Sequence, residues 1–394
     1  HSSHRRQRQM CIRDRVYANH ATAVGIDNIV SGLSGAAYGN LNTVTVKGEN
    51  TLIFGIGNTG NAEDCVILGK ENFINSPNSV VGGYRNFTDS SSADITIFGR
   101  KNVVETATSA RTMGSGNRAL ADLSTTFGNA NLTDQGAEFA SIFGNFNTGD
   151  ATGLGIFGSG NTSSAVLSYI VGNDNIHTEG AVKSNTFGEN NINNAQHSTI
   201  VGSGNVNSGV SAALFGYGND ITDSGIRSHT FGMENTGNAE DSVIVGSGNT
   251  NNAADSMTVG YGNLNQDDAD GSEVFGRENT SDSYRATTIG SGNYVSGKFA
   301  STVGYGNDIT TNGERAHTFG MENTGNAENS VIIGSGNTNN AADSMTVGYG
   351  NLNQDDADGS EVFGRENTSD SYRATTIGSG NYVSGKFAST VGYG

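Results

Sequence analysis

The carboxylates of one loop are the side chains most able to do chemistry, because the loop concentrates them and the chain repeats it. The run Gln266–Gly271 (QDDADG) returns at Gln354–Gly359, 88 residues later. Its carboxylates are Asp267, Asp268 and Asp270 in the first copy and Asp355, Asp356 and Asp358 in the second. Calcium prefers carboxylate and carbonyl oxygens as ligands, so a calcium loop is the first chemistry to test.

A calcium loop of the EF-hand type does not fit this run. If Gly271 is the sixth loop residue, the twelfth, which should be a bidentate Glu, is Arg277. If the loop starts at Asp267, Glu278 is twelfth, but Ser272 stands where glycine is required. The run also lacks the glycine-rich nonapeptide of calcium-binding β-rolls. We therefore predict a solvated acidic loop and a weak candidate for ligand binding, with no metal site and no cofactor.

Catalytic groups are not assembled anywhere along the chain. His229 and His317 are copies of one strand position and have no Ser or Cys nucleophile context. The acidic residues are scattered along loops, so a paired-carboxylate glycosidase site cannot be placed. Runs such as Gly246–Gly248 resemble a phosphate loop, but neither a helix nor Lys-Ser/Thr follows them. An enzyme usually has one active site per chain, whereas this chain repeats nearly all of its sequence. We therefore predict that it is not an enzyme. A β-helix lyase would need larger coils and one non-repeating charged cleft.

A glycine followed three residues later by asparagine recurs along almost the whole chain. The glycines run from Gly25 to Gly392 in steps of 14 or 16 residues, with one step of 15 between Gly99 and Gly114. From Gly128 onward the steps repeat as 16, 14 and 14, which adds a 44-residue period. Typical pairs are Gly246 with Asn249, Gly260 with Asn263, and Gly276 with Asn279. A fixed short period of this kind indicates a solenoid in which each repeat is one coil.

The residues before each glycine predict what the coil contains. Runs such as Ser256–Gly260 (SMTVG) and Ala300–Gly304 (ASTVG) combine a small residue with β-branched ones, which is typical of strands closed by turns. A 14-residue period holds two short strands and two tight turns, but not a helix and a strand. Twenty-six coils with parallel strands about 4.8 Å apart predict a rod on the order of 120 Å long. The predicted fold class is all-β, a parallel β-solenoid with 14-, 14- and 16-residue coils.

The recurring asparagines have two interpretations. Stacked at one corner of every coil, their amides can form a ladder that satisfies the turn groups, as amide ladders do in cross-β stacks. A flat polar ladder could instead bind ice or polysaccharide. An ice-binding face would need Thr-x-Thr at the same site of each coil, and Thr is irregular here. We predict the structural role.

The 16-residue steps coincide with a phenylalanine before the glycine. These residues are Phe54, Phe98, Phe143, Phe187, Phe231, Phe275, Phe319 and Phe363. We predict that each fills a core position and that the two extra residues form a bulged loop on one side. Duplication of a 44-residue segment explains the pattern equally well. Recent duplication is visible, since His229–Gly306 and His317–Gly394 differ at only two positions.

Composition excludes several classes of partner. The net charge is −18, and without the first fifteen residues it is −22, from 16 basic and 38 acidic residues. Such acidity argues against nucleic acid and against anionic lipid surfaces. No run of 18 apolar residues is present, so we predict no membrane insertion. Cys65 occupies the small position that Ser242 holds in another coil, and with Cys11 as the only other cysteine no disulfide framework exists.

The first residues of the chain belong to no repeat, and the last coil stops at Gly394 in mid-motif. The segment His1–Arg15 carries five Arg, and its run Arg8–Arg15 resembles the translation of a sequencing adapter. We predict that residues 1–15 are not native, rather than a basic arm for nucleic acid. Residues 16–394 are then predicted to form a single solenoid of about 26 coils, truncated at both ends and lacking capping and functional modules.

The coil pattern over residues from about 20 to 394 resembles the YadA-like head repeat of trimeric autotransporter adhesins. Ser256–Gly260 and Ala300–Gly304 are good instances of its small residue, Thr/Val pair and glycine. The resemblance implies a left-handed β-roll, three chains that bury an apolar face between them, and anchoring in a bacterial outer membrane through a missing C-terminal region. The uniform Asn and the 16-residue steps depart from the family pattern.

From this resemblance we expect an extracellular, non-enzymatic adhesin head that attaches a cell to host or environmental surfaces. The expected partners are two further copies of the chain and a matrix or glycan ligand, bound weakly at the acidic loops. Similar β-rolls suit phage tail fibres, so the alternative expectation is a phage or virion tail-fibre shaft. Trimerisation and surface anchoring follow here from analogy with the family alone.

Overall fold

The computed structural model describes residues 14–394 of the chain, and the adapter-like segment up to residue 13 lies outside the described residues. These residues form two compact units, here unit 1 (up to Asn190) and unit 2 (Asn191–Gly394). Within the described residues the regular structure is entirely β. Each coil contributes one long strand of five residues, which contains the repeat glycine, and one short strand of two residues that follows the repeat asparagine.

Unit 1 contains twelve coils. Its long strands are Thr22–Ile26, Ala36–Asn40, Leu52–Ile56, Val66–Lys70, Val80–Tyr84, Thr96–Arg100, Arg111–Ser115, Thr125–Asn129, Ser141–Asn145, Gly155–Ser159, Tyr169–Asn173 and Asn185–Glu189. Its short strands are Arg15–Val16, Ile29–Val30, Thr43–Val44, Thr59–Gly60, Phe73–Ile74, Phe87–Thr88, Val103–Val104, Arg118–Ala119, Leu132–Thr133, Thr148–Gly149, Thr162–Ser163 and Ile176–His177.

Unit 2 contains fourteen coils. Its long strands are Thr199–Ser203, Ala213–Tyr217, His229–Met233, Val243–Ser247, Met257–Tyr261, Glu273–Arg277, Thr287–Ser291, Ser301–Tyr305, His317–Met321, Val331–Ser335, Met345–Tyr349, Glu361–Arg365, Thr375–Ser379 and Ser389–Tyr393. Its short strands are Ile192–Asn193, Val206–Asn207, Asp220–Ile221, Thr236–Gly237, Thr250–Asn251, Leu264–Asn265, Thr280–Ser281, Tyr294–Val295, Asp308–Ile309, Thr324–Gly325, Thr338–Asn339, Leu352–Asn353, Thr368–Ser369 and Tyr382–Val383.

Successive coils pair in parallel with the repeat glycines in register. In unit 1, Gly99 pairs with Gly83 across a 16-residue step and with Gly114 across the 15-residue step. In unit 2, Gly260 pairs with Gly276, again 16 residues on. Because the register is unchanged, the extra residues lie in the loop between the short strand and the next long strand. The predicted all-β parallel solenoid with coils of about 14 residues is confirmed.

The core lies on the face of the long strand opposite to the one that we predicted. The residue two before glycine is buried in every coil but the first and the last, as Ile53 and Ile97 are, whereas Phe54 and Phe98 retain 41% and 39% of their surface exposed. Alternate residues of a strand point to opposite faces, so both neighbours cannot be inside. The prediction that the phenylalanines of the 16-residue coils fill core positions was therefore wrong.

The repeat asparagines are buried and hydrogen-bond from coil to coil. The Nδ2 of Asn263 donates to Oδ1 of Asn249 at 3.0 Å and to the carbonyl of Gly276 at 2.8 Å. The backbone N–H of Asn263 donates to the same Asn249 oxygen at 3.0 Å. This asparagine ladder satisfies polar groups at the turn after every long strand. In unit 1 it reaches back to Asp14, whose Oδ1 accepts from the backbone N–H of Asn28 at 2.8 Å.

The interiors of the two units differ in polarity. In unit 1 the buried residues two before glycine include Ile53, Ile67 and Ile97, and they form a continuous apolar cluster with Cys65. In unit 2 the same positions are often threonine, as at Thr258 and Thr288. Burial raises the pKa of the Cys65 thiol, as expected for a small packed residue away from water.

His177 of unit 1 is a buried imidazole inside the coil. Its Nε2 lies 2.7 Å from Oγ1 of Thr186, and burial lowers its pKa from 6.5 to about 4. The folded state therefore binds fewer protons than the unfolded state between pH 6.5 and 4. The stability that neutral His177 provides is complete above pH 6.5 and is lost as the pH falls toward 4.

We expect the stability advantage of the wild type over the variant His177→Ser to shrink by about 3 kcal/mol between pH 7.5 and 4. Serine is a matched replacement because Ser163 pairs in register with His177 on the preceding short strand. Urea unfolding of both proteins at pH 7.5, 5.5 and 4 measures the difference and cancels the titration of surface carboxylates. A constant difference would contradict a buried neutral imidazole.

Candidate functional site: an apolar column and two acidic loops

The residue immediately before each glycine points out of the coil and is nearly always apolar. In unit 2 these residues are Val201, Phe215, Phe231, Val245, Val259, Phe275, Ile289, Val303, Phe319, Ile333, Val347, Phe363, Ile377 and Val391. In unit 1 they are Val24, Tyr38, Phe54, Leu68, Gly82, Phe98, Met113, Phe127, Phe143, Phe157, Val171 and Phe187. Since the coils are in register, each set forms one line along the outer face of its long-strand sheet. We call this line the apolar column.

The aromatic members of the column stack on one another. The rings of Phe143 and Phe157 in unit 1 are 5.0 Å apart and almost parallel. Phe215 and Phe231 in unit 2 stack at 5.1 Å. Phe231 is 39% exposed and Ile333 44%, so the column retains apolar surface that water covers in the single chain. Contiguous exposed apolar surface of this kind marks an interaction site more often than a solvated face.

A second outward position, three residues before each glycine, flanks the apolar column. In unit 2 these residues are Thr199, Ala213, His229, Val243, Met257, Glu273, Thr287, Ser301, His317, Val331, Met345, Glu361, Thr375 and Ser389. The ionisable members are His229, Glu273, His317 and Glu361. We call this line the flanking column. Outside the two strands Glu273–Arg277 and Glu361–Arg365, which each carry a Glu and an Arg, the long strands of unit 2 bring only the two histidines to this face as ionisable flanking residues.

The acidic loops are the widened loops of two 16-residue coils in unit 2. Asp267 and Asp268 form an exposed turn, after which buried Ala269 anchors the loop to the core. The carboxylate of Asp270 accepts a hydrogen bond from the backbone N–H of Ala254 at 2.8 Å. Asp358 does the same for Ala342, also at 2.8 Å. Two of the six carboxylates predicted to bind ligand therefore hold the loop in shape.

The other four carboxylates line open surface grooves. Asp267 and Asp268 contribute to a groove of about 330 Å³ whose lining includes Gln266 and Asp282. Asp355 and Asp356 line its copy, of about 410 Å³. Among residues 14–394, no group of three or more His, Cys, Asp or Glu side chains is placed to hold a metal ion. The grooves suit a polar ligand at an exposed site.

Sequence reasoning missed the apolar column because it assigned these residues to the interior. The alternation of side chains along a strand could have revealed it. The small residue four before glycine and the residue two before glycine share one face, so the residue one before glycine must lie on the opposite face. Of the repeat residues, Gly276 lies in the long strand Glu273–Arg277 and is exposed, whereas Asn279 at the following turn is fully buried. Asn279 therefore supports the fold from the interior of the turn.

Nothing in the described part of the chain is a helix that could span a membrane. Comparison with protein-family models and with curated proteins finds no match to this chain. The apolar column and the two acidic loops are therefore the features on which an assignment of function depends.

Proposed function

We propose that this chain is a non-enzymatic extracellular attachment module in which three copies pack side by side, as in the head of a trimeric adhesin. The observation that carries the proposal is the apolar column. A soluble protein seldom keeps such a line of stacked, half-exposed aromatic and aliphatic side chains without a partner to cover it.

The size of the column is in the range of exposed apolar patches that mark interaction sites. Five of the fourteen column residues of unit 2 are phenylalanines, and an aromatic side chain has about 150–250 Å² of surface. At roughly 35–40% exposure, as at Phe231, these five rings present on the order of 400 Å². The largest apolar patch on a typical monomer measures about 300–600 Å² and is often functional.

The period of the column favours a second copy of the chain as the occupant. Its side chains repeat once per coil, with the spacing of neighbouring parallel strands, about 4.8 Å. A partner that contacts every coil must repeat with the same spacing, and another copy of this chain does so by construction. Three copies around one axis can cover the column of each chain, which closed symmetry permits.

The acidic loops are the proposed contact with the surface to which the module attaches. Each chain presents two identical loops 88 residues apart, so three chains present six. Repeated weak contacts of this kind gain strength by avidity. The proposed ligand is a matrix protein or a glycan. The second candidate, a phage or virion tail-fibre shaft, uses the same trimer and is favoured by the column alone, since a shaft requires no loop contacts.

The test is the mass of the full chain in solution, measured by light scattering after size exclusion. We expect three times the chain mass of 40.7 kDa. The variant Phe231→Asp/Phe319→Asp should shift the mass toward one chain, because both changes bury a charge in the proposed interface. A monomeric wild type would overturn the proposal.

The matched control is Phe299→Asp, a change of equal chemistry outside the column. Phe299 is 42% exposed, as the column residues are. It lies five residues before its glycine, where Asp255 and Asp343 stand in other coils with the same positive φ. This variant should keep the mass of the wild type. If it dissociates as well, added charge in general, and not the column, is responsible.

A further inference from the structure

Two histidines lie in the outer face of unit 2, on strands that carry no other charged residue. His229 and His317 occupy the flanking column, two residues before Phe231 and Phe319 of the apolar column. His229 is exposed and His317 is half-buried. A second chain that covers the apolar column therefore also covers these imidazoles.

The strands packed against His229 bring no charge to it. Its strand pairs with Ala213–Tyr217 and Val243–Ser247, which place Ala213 and Val243 beside it and carry no charged residue. Arg227, two residues earlier, is engaged by Glu240 and Asp241 through ion pairs. The imidazole thus has apolar neighbours on both sides along the flanking column.

His317 has a similar environment with one added hydroxyl. Its neighbours in register are Ser301 and Val331, on strands without charged residues. Oγ of Ser301 lies 2.6 Å from its Nδ1. Arg315, two residues earlier, pairs with Glu314 at 3.2 Å and with Glu328 at 2.5 Å. Neither histidine is therefore paired with a carboxylate in the single chain.

We propose that His229 and His317 make self-association through the outer face of unit 2 dependent on pH, with the chains associated when both imidazoles are neutral and released when they are protonated. The proposal rests on the self-association that the proposed function requires. It adds a regulation of that interface: the module would assemble at neutral pH and loosen in acidic surroundings.

Two physical effects act in the same direction. A charged imidazolium covered by the apolar side chains of another copy loses its hydration without gaining a partner, which disfavours the associated state. Parallel copies in register also bring the same histidine of each chain to the same height, so protonation adds repulsion between like charges. Histidine is the side chain whose charge ordinarily changes between pH 5 and 8.

The two glutamates of the flanking column lie too far from the histidines to pair with them. Glu273 lies three coils from His229, and Glu361 lies three coils from His317. Three coils correspond to about 14 Å at the usual strand spacing. This distance exceeds the Debye length of about 8 Å at physiological salt. The double valine variant described below keeps both glutamates, so any contribution of theirs to the pH dependence is measured there separately from that of the histidines.

The experiment is a dilution series of the full chain at pH 8.0 and at pH 5.5 in 150 mM salt, followed by analytical ultracentrifugation. We expect the concentration at the midpoint of dissociation to be at least tenfold higher at pH 5.5. The variant His229→Val/His317→Val, which copies the residue at Val243 and Val331, should dissociate at the same concentration at both pH values. Far-UV circular dichroism at both pH values verifies that the coils stay folded.

The control His197→Asn changes a histidine outside this face. His197 is exposed and lies five residues before its glycine, where Asn329 stands in another coil. This variant should keep the pH dependence of the wild type. An oligomer whose dissociation ignores pH, or a pH dependence that survives in the double valine variant, would overturn the regulation alone. A monomer at both pH values would overturn the proposed trimer and the regulation together.

Discussion

Replacing Gly290 by alanine is expected to destabilise the protein by about 3–5 kcal/mol, the sum of an overpacked core contact and a strained backbone. An added Cβ would lie 1.8 Å from the carbonyl oxygen of Gly304 in the next coil and 3.0 Å from Nδ2 of Asn293. The φ of Gly290 is +125°, a value that side chains with a Cβ rarely adopt. Because the next coil's backbone occupies the space, the coils must separate to admit the methyl group.

The matched control for this change lies two residues away. Gly292 has φ +63°, and a Cβ there would meet nothing within 4 Å. Glu278 and Glu322 hold the same place in other coils with similar positive φ. Gly292→Ala should therefore cost only about 1 kcal/mol. Urea unfolding of the two variants measures the difference, and equal midpoints would mean that contact between the coils does not require the repeat glycine.

Replacing Asn263 by alanine is expected to cost roughly 3–6 kcal/mol through broken hydrogen bonds. The Nδ2 of Asn263 donates to Asn249 and to the Gly276 carbonyl. Its Oδ1 accepts two hydrogen bonds from Asn279, one from the backbone N–H at 3.0 Å and one from the side-chain Nδ2 at 3.1 Å. The bonds to Asn249 and Asn279 are buried, and a buried donor or acceptor left without a partner costs about 1–3 kcal/mol. Removing one asparagine interrupts the ladder on both sides.

The control for the ladder is a second asparagine of the same coil region. Oδ1 of Asn252 accepts from Nδ2 of Asn238 at 2.6 Å, but Asn252 is only half-buried, so water can replace the bond. Asn252→Ala should cost less than about 1 kcal/mol. Hydrogen exchange should lose protection in the coils next to residue 263 in the first variant only. A uniform loss over all of unit 2 would contradict a locally acting ladder.

Much of the fold could be predicted because the spacing of the repeat determines the length and content of each coil. The glycine and asparagine spacing gives the length of the coil, and a 14-residue coil has room for short strands and turns only. The register of Gly260 with Gly276 shows why the spacing is so regular: each glycine lies against the backbone of the next one, where a side chain cannot fit. The regular spacing therefore results from the contact between repeat glycines of neighbouring coils.

The candidate site was predicted less well, for two physical reasons. The acidic loops could be predicted because negative charge is concentrated in them. The hydrogen bond from Ala254 to Asp270 could not be predicted, because it joins residues of different coils. The apolar column was assigned to the wrong side because both neighbouring positions are apolar in many coils, as in Ile53 and Phe54. Hydrophobicity alone does not tell two such positions apart.

The sequence by itself determined the period, the β class and the place of each glycine and asparagine, since these follow from local backbone conformation and from a pattern that repeats once per coil. The tertiary structure decided which face of the long strand is covered. The short strand and its loop close each coil over one side, so Ile53 is buried while Phe54 stays in contact with water. That closure depends on the path of the whole coil, and it places a residue that was predicted to be in the core on the surface.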